Sequence, residues 1–310
     1  MIMPAPVCPS CANLSVLEIG PILNYAIFAG NFTSASKSKL YKCKICGLYF
    51  KKPVLDKAQR NARYRVANPG NWRCGFENRQ DWVLATRWIK EIGKAGKILD
   101  MGCWTGNFLS ELSDSWERYG VEINPLAAEV AKNKNISILP LDYDNLPREQ
   151  WFDVITAFDF IEHLQDPYRF MQSMIKHLNV GGLLIVSTGN PLASSWQFMG
   201  SSYWYCAFPE HISFVTKQWF EVISRDFGIT VSNYSCFSRA PGRPFQVLKE
   251  TVANMLYKFS PNTVDVLRFV CAHCTKNQYL TRRCPPAWMS AKDHQIIALK
   301  KEIPTGHIDV

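Results

Sequence analysis

From residue 79 onward, short apolar segments alternate with segments whose apolar residues recur at helical spacing. Strands separated by helices of about ten residues are typical of a parallel sheet with helices on both faces. We therefore predict an α/β fold with a doubly wound, mostly parallel, seven-stranded sheet. The strand segments are KILDM, YGVEI, ISILPL, FDVITAFDF, GGLLIVSTG, ITVSNYSCFSR and QIIALKK.

The first of these strands leads into a glycine-rich turn, ILDMGCWTG. In parallel sheets, ligands bind beyond the carboxyl ends of the strands. Glu122 closes the next strand about 20 residues further on, where an acidic side chain can accept hydrogen bonds from two ribose hydroxyls. The turn and the acid together predict a nucleotide-like ligand that lies against bare backbone.

Trp104 stands in this turn where a third glycine is expected. The middle position tolerates a side chain that points away from the ligand, and we expect Trp104 at the mouth of the pocket. There it covers the ligand or stacks on a substrate. Packing against Trp82 or the N-terminal segment and obstruction of the site are the alternatives.

Five motifs occur in order between about residues 79 and 239: ILDMGCWTG, YGVEI, LDYDNLP, FDVITAFDFIEHLQDP and LNVGGLLIVSTGNP. As a set they resemble the class I S-adenosylmethionine-dependent methyltransferases, which have a Rossmann-like fold. EHLQDP, with PEHISFVT later, is most similar to the branch that contains ubiquinone-biosynthesis O-methyltransferases and many small-molecule and sugar methyltransferases.

This resemblance implies the residues that bind S-adenosylmethionine. Asp100 and the turn backbone would hold the methionine end, Glu122 the ribose, and Asp142 the adenine amine, with Tyr143 and Ile123 lining the base. The predicted cofactor-binding residues are Asp100, Gly102, Cys103, Gly106, Glu122, Ile123, Asp142, Tyr143 and Asp159.

Four cysteines near the N-terminus form two Cys-x-x-Cys pairs, Cys8 with Cys11 and Cys43 with Cys46. Two such pairs have the spacing of a tetrahedral zinc site, because a tight turn presents both sulfurs of a pair to one ion. We predict a zinc ribbon whose metal is structural, since four protein ligands leave no open position. A third pair, Cys271 and Cys274 with Cys284 nearby, is explained by core packing or by a second metal.

Methyl transfer from a sulfonium is an in-line displacement, so the protein must align the reacting groups and exclude water. A hydroxyl nucleophile benefits from a base, and the candidates are His163, Glu162 and Asp159 after the fourth strand, then Glu210 and His211 in PEHISF. Of these, His163, Glu162 and His211 are the predicted catalytic residues. His163 also resembles the histidine of the family's EHL segment, although it can instead order the first turn of a helix. Asp159, Glu162 and His163 are an alternative set of ligands for a divalent cation.

Two further segments each allow two interpretations. Residues 190–214 carry many aromatic side chains, which suggests a substrate lid or a loop folded over the sheet edge. FQVLKETVANMLYKF places an apolar stripe on one side of a helix with lysines opposite. The leading interpretation is that this stripe packs on the domain, and the alternative is a basic cap that helps hold an anionic or lipid-linked substrate at a membrane surface.

The predicted domain organisation follows from these motifs: a zinc ribbon at 1–55, a helical linker at 56–78, and a methyltransferase domain at 79–310 with a helical insertion at 240–286. The basic charge lies in the flanks, since 1–67 carry 10 Lys and Arg against 2 Asp and Glu, and 240–286 carry 7 against 2. A basic flank can contact nucleic acid, an anionic substrate or a membrane surface, or simply be solvated. No apolar run approaches the roughly 20 residues that span a bilayer, so we expect a cytoplasmic protein.

The leading functional hypothesis is methyl transfer to a small-molecule acceptor, at a hydroxyl of a sugar, glycan precursor or isoprenoid-like metabolite. The second is an RNA methyltransferase whose zinc ribbon and basic flanks bind the phosphates of the RNA. Against it, the fourth strand ends in DFIEH, without the proline-aromatic run expected for base amines or the Pro-Cys nucleophile expected for pyrimidine carbon. The third is a zinc-ribbon interaction module that binds the cofactor without turnover.

Overall fold

The structure is a computed structural model that describes residues 6–22, 38–67, 79–139, 146–147, 149, 151–240, 242–275 and 284–302, without the side chains of 63 and 269–275. Its strands are β1 (Val16–Pro21), β2 (Lys39–Cys43), β3 (Tyr49–Lys52), β4 (Lys97–Met101), β5 (Glu117–Val121), β6 (Ser137–Ile138), β7 (Phe152–Phe158), β8 (Leu178–Gly189), β9 (Ser213–Phe214), β10 (Ile229–Phe237) and β11 (His294–Lys301). Its helices are α1 (Lys57–Arg65), α2 (Gln80–Lys90), α3 (Asn107–Ser110), α4 (Pro125–Lys132), α5 (Pro167–Lys176), α6 (Ser194–Met199), α7 (Lys217–Phe227), α8 (Pro244–Phe259) and α9 (Pro261–Thr275).

Seven strands form the central sheet, in the order β10-β11-β8-β7-β4-β5-β6. β11 runs antiparallel to both of its neighbours, and the pairs among β8, β7, β4, β5 and β6 are parallel. The predicted doubly wound, mostly parallel, seven-stranded sheet is therefore confirmed.

Helices cover both faces of this sheet because its strands are apolar on both sides. In β4, Ile98 packs into a buried cluster with Trp82 of α2, whereas the next residue, Leu99, packs into another cluster with Phe170 of α5. Successive side chains of a strand point to opposite faces. The two clusters therefore lie on opposite sides of the sheet, which holds the carboxyl ends of the strands in place between them.

The N-terminal ribbon, residues 6–22 and 38–55, has a sheet of its own in which β9 is the fourth strand, in the order β1-β2-β3-β9. The Lys51 amide donates to the Ile212 carbonyl at 2.9 Å, and the Trp219 indole N–H donates to Ser10 Oγ at 2.8 Å. Cys8 lies in the same buried cluster as Trp219. The ribbon and the central sheet therefore share a continuous core, and the boundary at residue 55 stays a prediction.

The helical insertion before β11 consists of α8 and α9, as predicted. The interpretation that its apolar stripe packs on the domain is wrong, because Phe245, Leu248 and Phe259 are exposed. Asn254 and Tyr257, on the other side of α8, are buried instead. Periodicity identifies a stripe, but it does not say which side of the helix meets the core.

The aromatic segment 190–214 is part of the core. It forms α6 and two 3₁₀ turns, and it buries Trp196, Tyr203 and Tyr205 in a cluster that also contains Tyr49 and Tyr257. This packing favours the loop folded over the sheet edge over the substrate lid.

Among the helices of the described ranges, we find none that combines the length and the apolar character that crossing a bilayer requires.

Candidate functional site

A cavity of about 730 Å³ lies at the carboxyl ends of β4, β5 and β7. Its opposite wall comes from the N-terminal ribbon and α1, including Cys8, Lys52 and Tyr64. This volume is within the range of sites for cofactor-sized ligands. Of the predicted cofactor-binding residues, Asp100, Gly102, Cys103, Glu122, Ile123 and Asp159 line the cavity.

The turn after β4 needs glycine at two positions. Gly102 has φ 76° and Gly106 has φ 70°, a region that glycine adopts without strain. A Cβ at Gly102 would lie 2.8 Å from the Phe160 ring, and a Cβ at Gly106 would lie 2.2 Å from Ile136 Cδ1. Gly102 therefore lies beside the cavity, whereas Gly106 allows close packing behind the turn. The predicted residues Asp142 and Tyr143 lie outside the described residues.

Trp104 also has a positive φ, of 49°, and lines the cavity. Its backbone N–H donates to Glu122 Oε2 at 2.8 Å. The cavity measures about 730 Å³ with Trp104 in its wall, so this residue does not fill it. That the side chain lies at the mouth of the pocket stays a prediction.

Glu122 is buried, and its carboxylate accepts hydrogen bonds from two backbone amides. One comes from Trp104 and the other from Asn124, whose N–H lies 2.7 Å from Oε1. Burial raises the pKa of Glu122, and the two amide hydrogen bonds oppose that rise. Each carboxylate oxygen has a second lone pair, which leaves capacity to accept from a ligand hydroxyl.

Asp100 is the next-to-last residue of β4 and places a buried carboxyl group at the cavity wall. Thr156 Oγ1 donates to its Oδ1 at 2.7 Å. Burial raises the pKa of Asp100 to about 7, and the hydrogen bond from Thr156 and the charge of Arg79 only partly offset this. A cation placed next to such a buried carboxyl group stabilises its ionised form.

Asp159 follows β7 and forms ion pairs with two arginines. Its Oδ2 lies 3.1 Å from Arg79, and its Oδ1 accepts a hydrogen bond from Arg239. Burial alone would raise the pKa of Asp159, but the charges of Arg239 and Arg79 outweigh burial and hold it below its usual range. The Arg79 guanidinium also stacks on Trp82 at 4.9 Å and bonds both carboxylate oxygens of Asp81.

His163 lines the cavity at the end of a 3₁₀ turn, Ile161–His163. The Tyr64 hydroxyl of α1 lies 2.8 Å from His163 Nδ1, and the Glu210 carbonyl oxygen lies 3.1 Å from the same nitrogen. A carbonyl oxygen only accepts, so the tautomer that donates Nδ1–H to Glu210 carries its lone pair on Nε2. That nitrogen is then the basic one.

Glu162 and His211, the other two predicted catalytic residues, lie behind the cavity. Glu162 is fully buried and accepts hydrogen bonds from the Thr188 hydroxyl at 2.9 Å and from the Tyr205 hydroxyl. Burial lowers the pKa of His211 well below its ordinary value, so this ring is neutral. Ligand atoms of Glu162, His163 and His211 lie within 4.8 Å of one another, whereas Asp159 is engaged by its two arginines.

A sequence model of methyltransferase domains matches residues 77–233, just over half of the chain. The chain belongs to this family. The resemblance to class I S-adenosylmethionine-dependent methyltransferases is thereby confirmed.

Curated relatives of this methyltransferase include two ubiquinone biosynthesis O-methyltransferases. That of Psychrobacter arcticus is 29% identical over 151 residues, which cover 43% of this chain and 55% of the relative. The mitochondrial protein of Schizosaccharomyces pombe is 36% identical over 109 residues, which cover 30% of this chain and 37% of the relative. The matches thus span about half of the first relative's length and just over a third of the second's.

One solved structure shows the same fold over most of this methyltransferase. It is a chain from the complex between the Trm112 methyltransferase activator of Haloferax volcanii and a methyltransferase, with a TM-score of 0.51 and 12% identity. The alignment covers 81% of this chain and 100% of that chain.

Four basic side chains line the cavity on the side of the ribbon, α1 and α5. We call Lys52, Lys57, Arg60 and Arg169 the basic wall. Asp166, the acid on this side, caps α5 by accepting a hydrogen bond from the Arg169 amide at 3.0 Å. The cavity thus has acidic side chains at the strand ends, where Arg79 also lies, and the four basic side chains on the ribbon, α1 and α5. The sequence indicated a basic N-terminal flank but not that these residues face the cavity.

The four N-terminal cysteines bring their sulfurs into one cluster. Cys8 Sγ lies 3.6 Å from Cys46 Sγ, Cys11 Sγ lies 3.5 Å from Cys43 Sγ, and all four sulfurs lie within 4.8 Å of one another. Zinc bonds of about 2.3 Å in a tetrahedron place sulfurs ~3.8 Å apart. The donor set therefore fits one zinc ion. The side chains of Cys271 and Cys274 lie outside the described residues.

Replacing Asp100 by Asn should stabilise the ligand-free methyltransferase at neutral pH. The asparagine keeps an oxygen for Thr156 and removes a carboxyl group whose pKa rises from 3.8 to about 7 on folding. Below about pH 4, Asp100 is protonated in both states and its titration has no effect, whereas the wild type loses stability as the pH rises toward 7. The free energy of unfolding in urea should therefore be larger for Asp100→Asn than for the wild type. This difference should grow from about pH 4 to pH 7 and level off near 2–4 kcal/mol.

A stability difference that stays constant between these pH values would contradict this assignment of the buried titrating group. Asp114→Asn, at an exposed carboxylate, is the matched control and should show no such growth.

Proposed function

We propose that the chain transfers the methyl group of S-adenosylmethionine to a hydroxyl of a small acceptor that carries a negative charge. The observation that carries this proposal is the division of one cavity into an acidic side at the strand ends and a basic wall opposite. S-adenosylmethionine carries an ammonium group and ribose hydroxyls, which match the acidic side. The basic wall then remains for the acceptor.

Asp100 would hold the ammonium group of the cofactor, because its buried carboxyl group is stabilised by a neighbouring cation. Arg79 is the cationic side chain close enough to Asp100 to act on its pKa, and it would attract the carboxylate at the same end. Glu122 would accept hydrogen bonds from the ribose hydroxyls, because the Trp104 and Asn124 amides use only one lone pair of each carboxylate oxygen. When bound, the cofactor supplies a methyl group on a positively charged sulfur.

His163 would act as the general base. Its Nδ1 faces the Tyr64 hydroxyl and the Glu210 carbonyl, so Nε2 would accept the proton that the acceptor hydroxyl loses as its oxygen forms the new bond to carbon. Tyr64 and the Glu210 carbonyl would fix the ring and stabilise its charge. The O-methyltransferase names of the curated relatives also support an oxygen nucleophile.

The basic wall would bind an anionic group of the acceptor. Arg60 is buried, and its guanidinium donates to the Leu55 carbonyl, so its charge has a fixed position. Lys57 and Arg169 are exposed and would meet the anion where the cavity opens. A phosphate or carboxylate on the acceptor would satisfy these groups.

A zinc ion at Cys8, Cys11, Cys43 and Cys46 would stabilise this wall. Four thiolates complete its coordination, so the metal would have a structural role and take no part in the chemistry. Cys8 itself lines the cavity. The metal would therefore fix the side of the cavity that the acceptor meets.

Glu122→Ala should weaken binding of S-adenosylhomocysteine by about 10- to 100-fold, because the ribose loses a charged acceptor. Isothermal titration calorimetry measures this directly. Glu117→Ala is the control, since Glu117 is the exposed first residue of β5, the strand that ends just before Glu122, and its replacement should leave the affinity unchanged. Equal affinity of Glu122→Ala and the wild type would contradict the proposal that the ribose binds at Glu122.

Cys43→Ser should reduce the zinc content of the purified protein and lower its thermal midpoint, because three thiolates bind the ion less tightly than four. Mass spectrometry for metals and thermal unfolding give the two values. Cys236→Ser, outside the cluster, should retain the metal content of the wild type. A wild-type protein purified without zinc that unfolds at the same temperature with and without added zinc would overturn the structural role.

His163→Ala should lower kcat at least ~100-fold and leave the affinity for S-adenosylhomocysteine unchanged, because the base acts only on the acceptor. Turnover is measured with an acceptor found by screening hydroxyl compounds in matched pairs, with and without a phosphate or carboxylate group. His177→Ala, whose side chain bonds the Ser173 carbonyl, is the control. Unchanged kcat would exclude His163 as the base, and cofactor binding without turnover on any compound would favour the non-catalytic alternative.

A further inference from the structure

The outward side of α8 is apolar over its whole length of 16 residues. Phe245 and Phe259, near its two ends, are each 79% exposed, and Leu248 is 62% exposed. Because 3.6 residues make one turn, large side chains at these spacings share one side of the helix. The exposed apolar residues of this outer face are Phe245, Leu248, Val252, Met255, Leu256 and Phe259.

Polar contacts fix α8 with this face outward. Glu250, on the opposite side, accepts hydrogen bonds from the Ser290 amide at 2.8 Å and the Ser290 hydroxyl at 2.6 Å. Asn254 and Tyr257, on the same side as Glu250, are buried against the domain. A surface helix normally buries its apolar side and exposes its polar side to water, whereas α8 does the opposite.

The apolar surface continues beyond α8. Phe198 of α6 is 38% exposed and packs edge-on against Phe259, with ring centroids 6.3 Å apart. The next helix of the insertion, α9, also has exposed apolar residues, since Val266 and Leu267 are 62% and 52% exposed. An apolar surface built from several elements indicates a site of interaction, since single exposed apolar residues are ordinary.

Positive charge flanks this surface. At 3.6 residues per turn, Lys249 and Lys258 fall at opposite borders of the outer face, and Lys258 Nζ also lies 3.3 Å from the Met199 carbonyl oxygen. The insertion has 7 basic against 2 acidic residues, and one of these acids, Glu250, is turned toward the domain. A second copy of the chain would bring like charges together at this surface, whereas anionic lipid headgroups would neutralise them.

We propose that the outer face of α8 binds the surface of an anionic lipid bilayer, with the helix lying in the plane of the interface. The phenylalanine and leucine side chains would enter the boundary between headgroups and acyl chains, and the lysines would extend to the phosphates. A helix of 16 residues is about 24 Å long, shorter than the hydrocarbon core. This contact is independent of the proposed methyl transfer.

The test is co-sedimentation of the full chain with vesicles of phosphatidylcholine, with and without phosphatidylglycerol. The wild type should bind the anionic vesicles at least ~10-fold more tightly than the neutral ones, and added salt should weaken binding. Leu248→Gln should reduce binding to the anionic vesicles by ~5-fold or more. Leu126→Gln is the matched control, because Leu126 is also a helical leucine with 62% exposure and lies on α4, away from the insertion.

Thermal unfolding of both variants checks that the fold is intact, which is expected because both leucines are exposed. Three results would each overturn the proposal: no binding to anionic vesicles, equal binding by Leu248→Gln and the wild type, or equal loss in both variants. A dimer detected by light scattering that Leu248→Gln dissociates, without vesicle binding, would assign the face to contact between copies instead.

Discussion

The carboxylate of Glu122 connects the segments that form the cavity. It accepts from the Trp104 amide in the turn after β4 and from the Asn124 amide at the start of α4. The Asn124 side chain in turn caps α4 and donates to the carbonyls of Tyr64 and Ala67 at the end of α1. One buried acid therefore sets the relative positions of the turn, α4 and α1.

This arrangement explains why the N-terminal part of the chain belongs to the site. Asn124 holds the carbonyl end of α1, which places Tyr64 against His163. The ribbon is held separately, by β9 and by the hydrogen bond between Trp219 and Ser10. The side of the cavity that the ribbon and α1 form thus depends on two attachments that are far apart in sequence.

The sequence predicts the sheet, the glycine turn and the cysteine cluster because each depends on local spacing. Gly102 and Gly106 follow from the turn they must form, and the pairing of Cys8 with Cys11 from a tight loop. The sequence does not predict the hydrogen bond between Arg239 and Asp159, which are 80 residues apart. Nor does it predict the one between Tyr64 and His163, which are 99 residues apart. Those contacts depend on how the elements pack, and the direction of the α8 stripe was missed for the same reason.

Under the proposed function, the buried acids of the cavity are also where function opposes stability. Asp159 is compensated by two arginines, so its charge is stable in the folded chain. Asp100 accepts a hydrogen bond from the Thr156 hydroxyl, and the charge of Arg79 lowers its pKa to a smaller extent. Burial outweighs both and raises the pKa of Asp100 to about 7. An acid that served only the fold would be expected to have the stronger compensation of Asp159. The difference between the two carboxyl groups therefore favours Asp100 as the group whose cation arrives with the ligand.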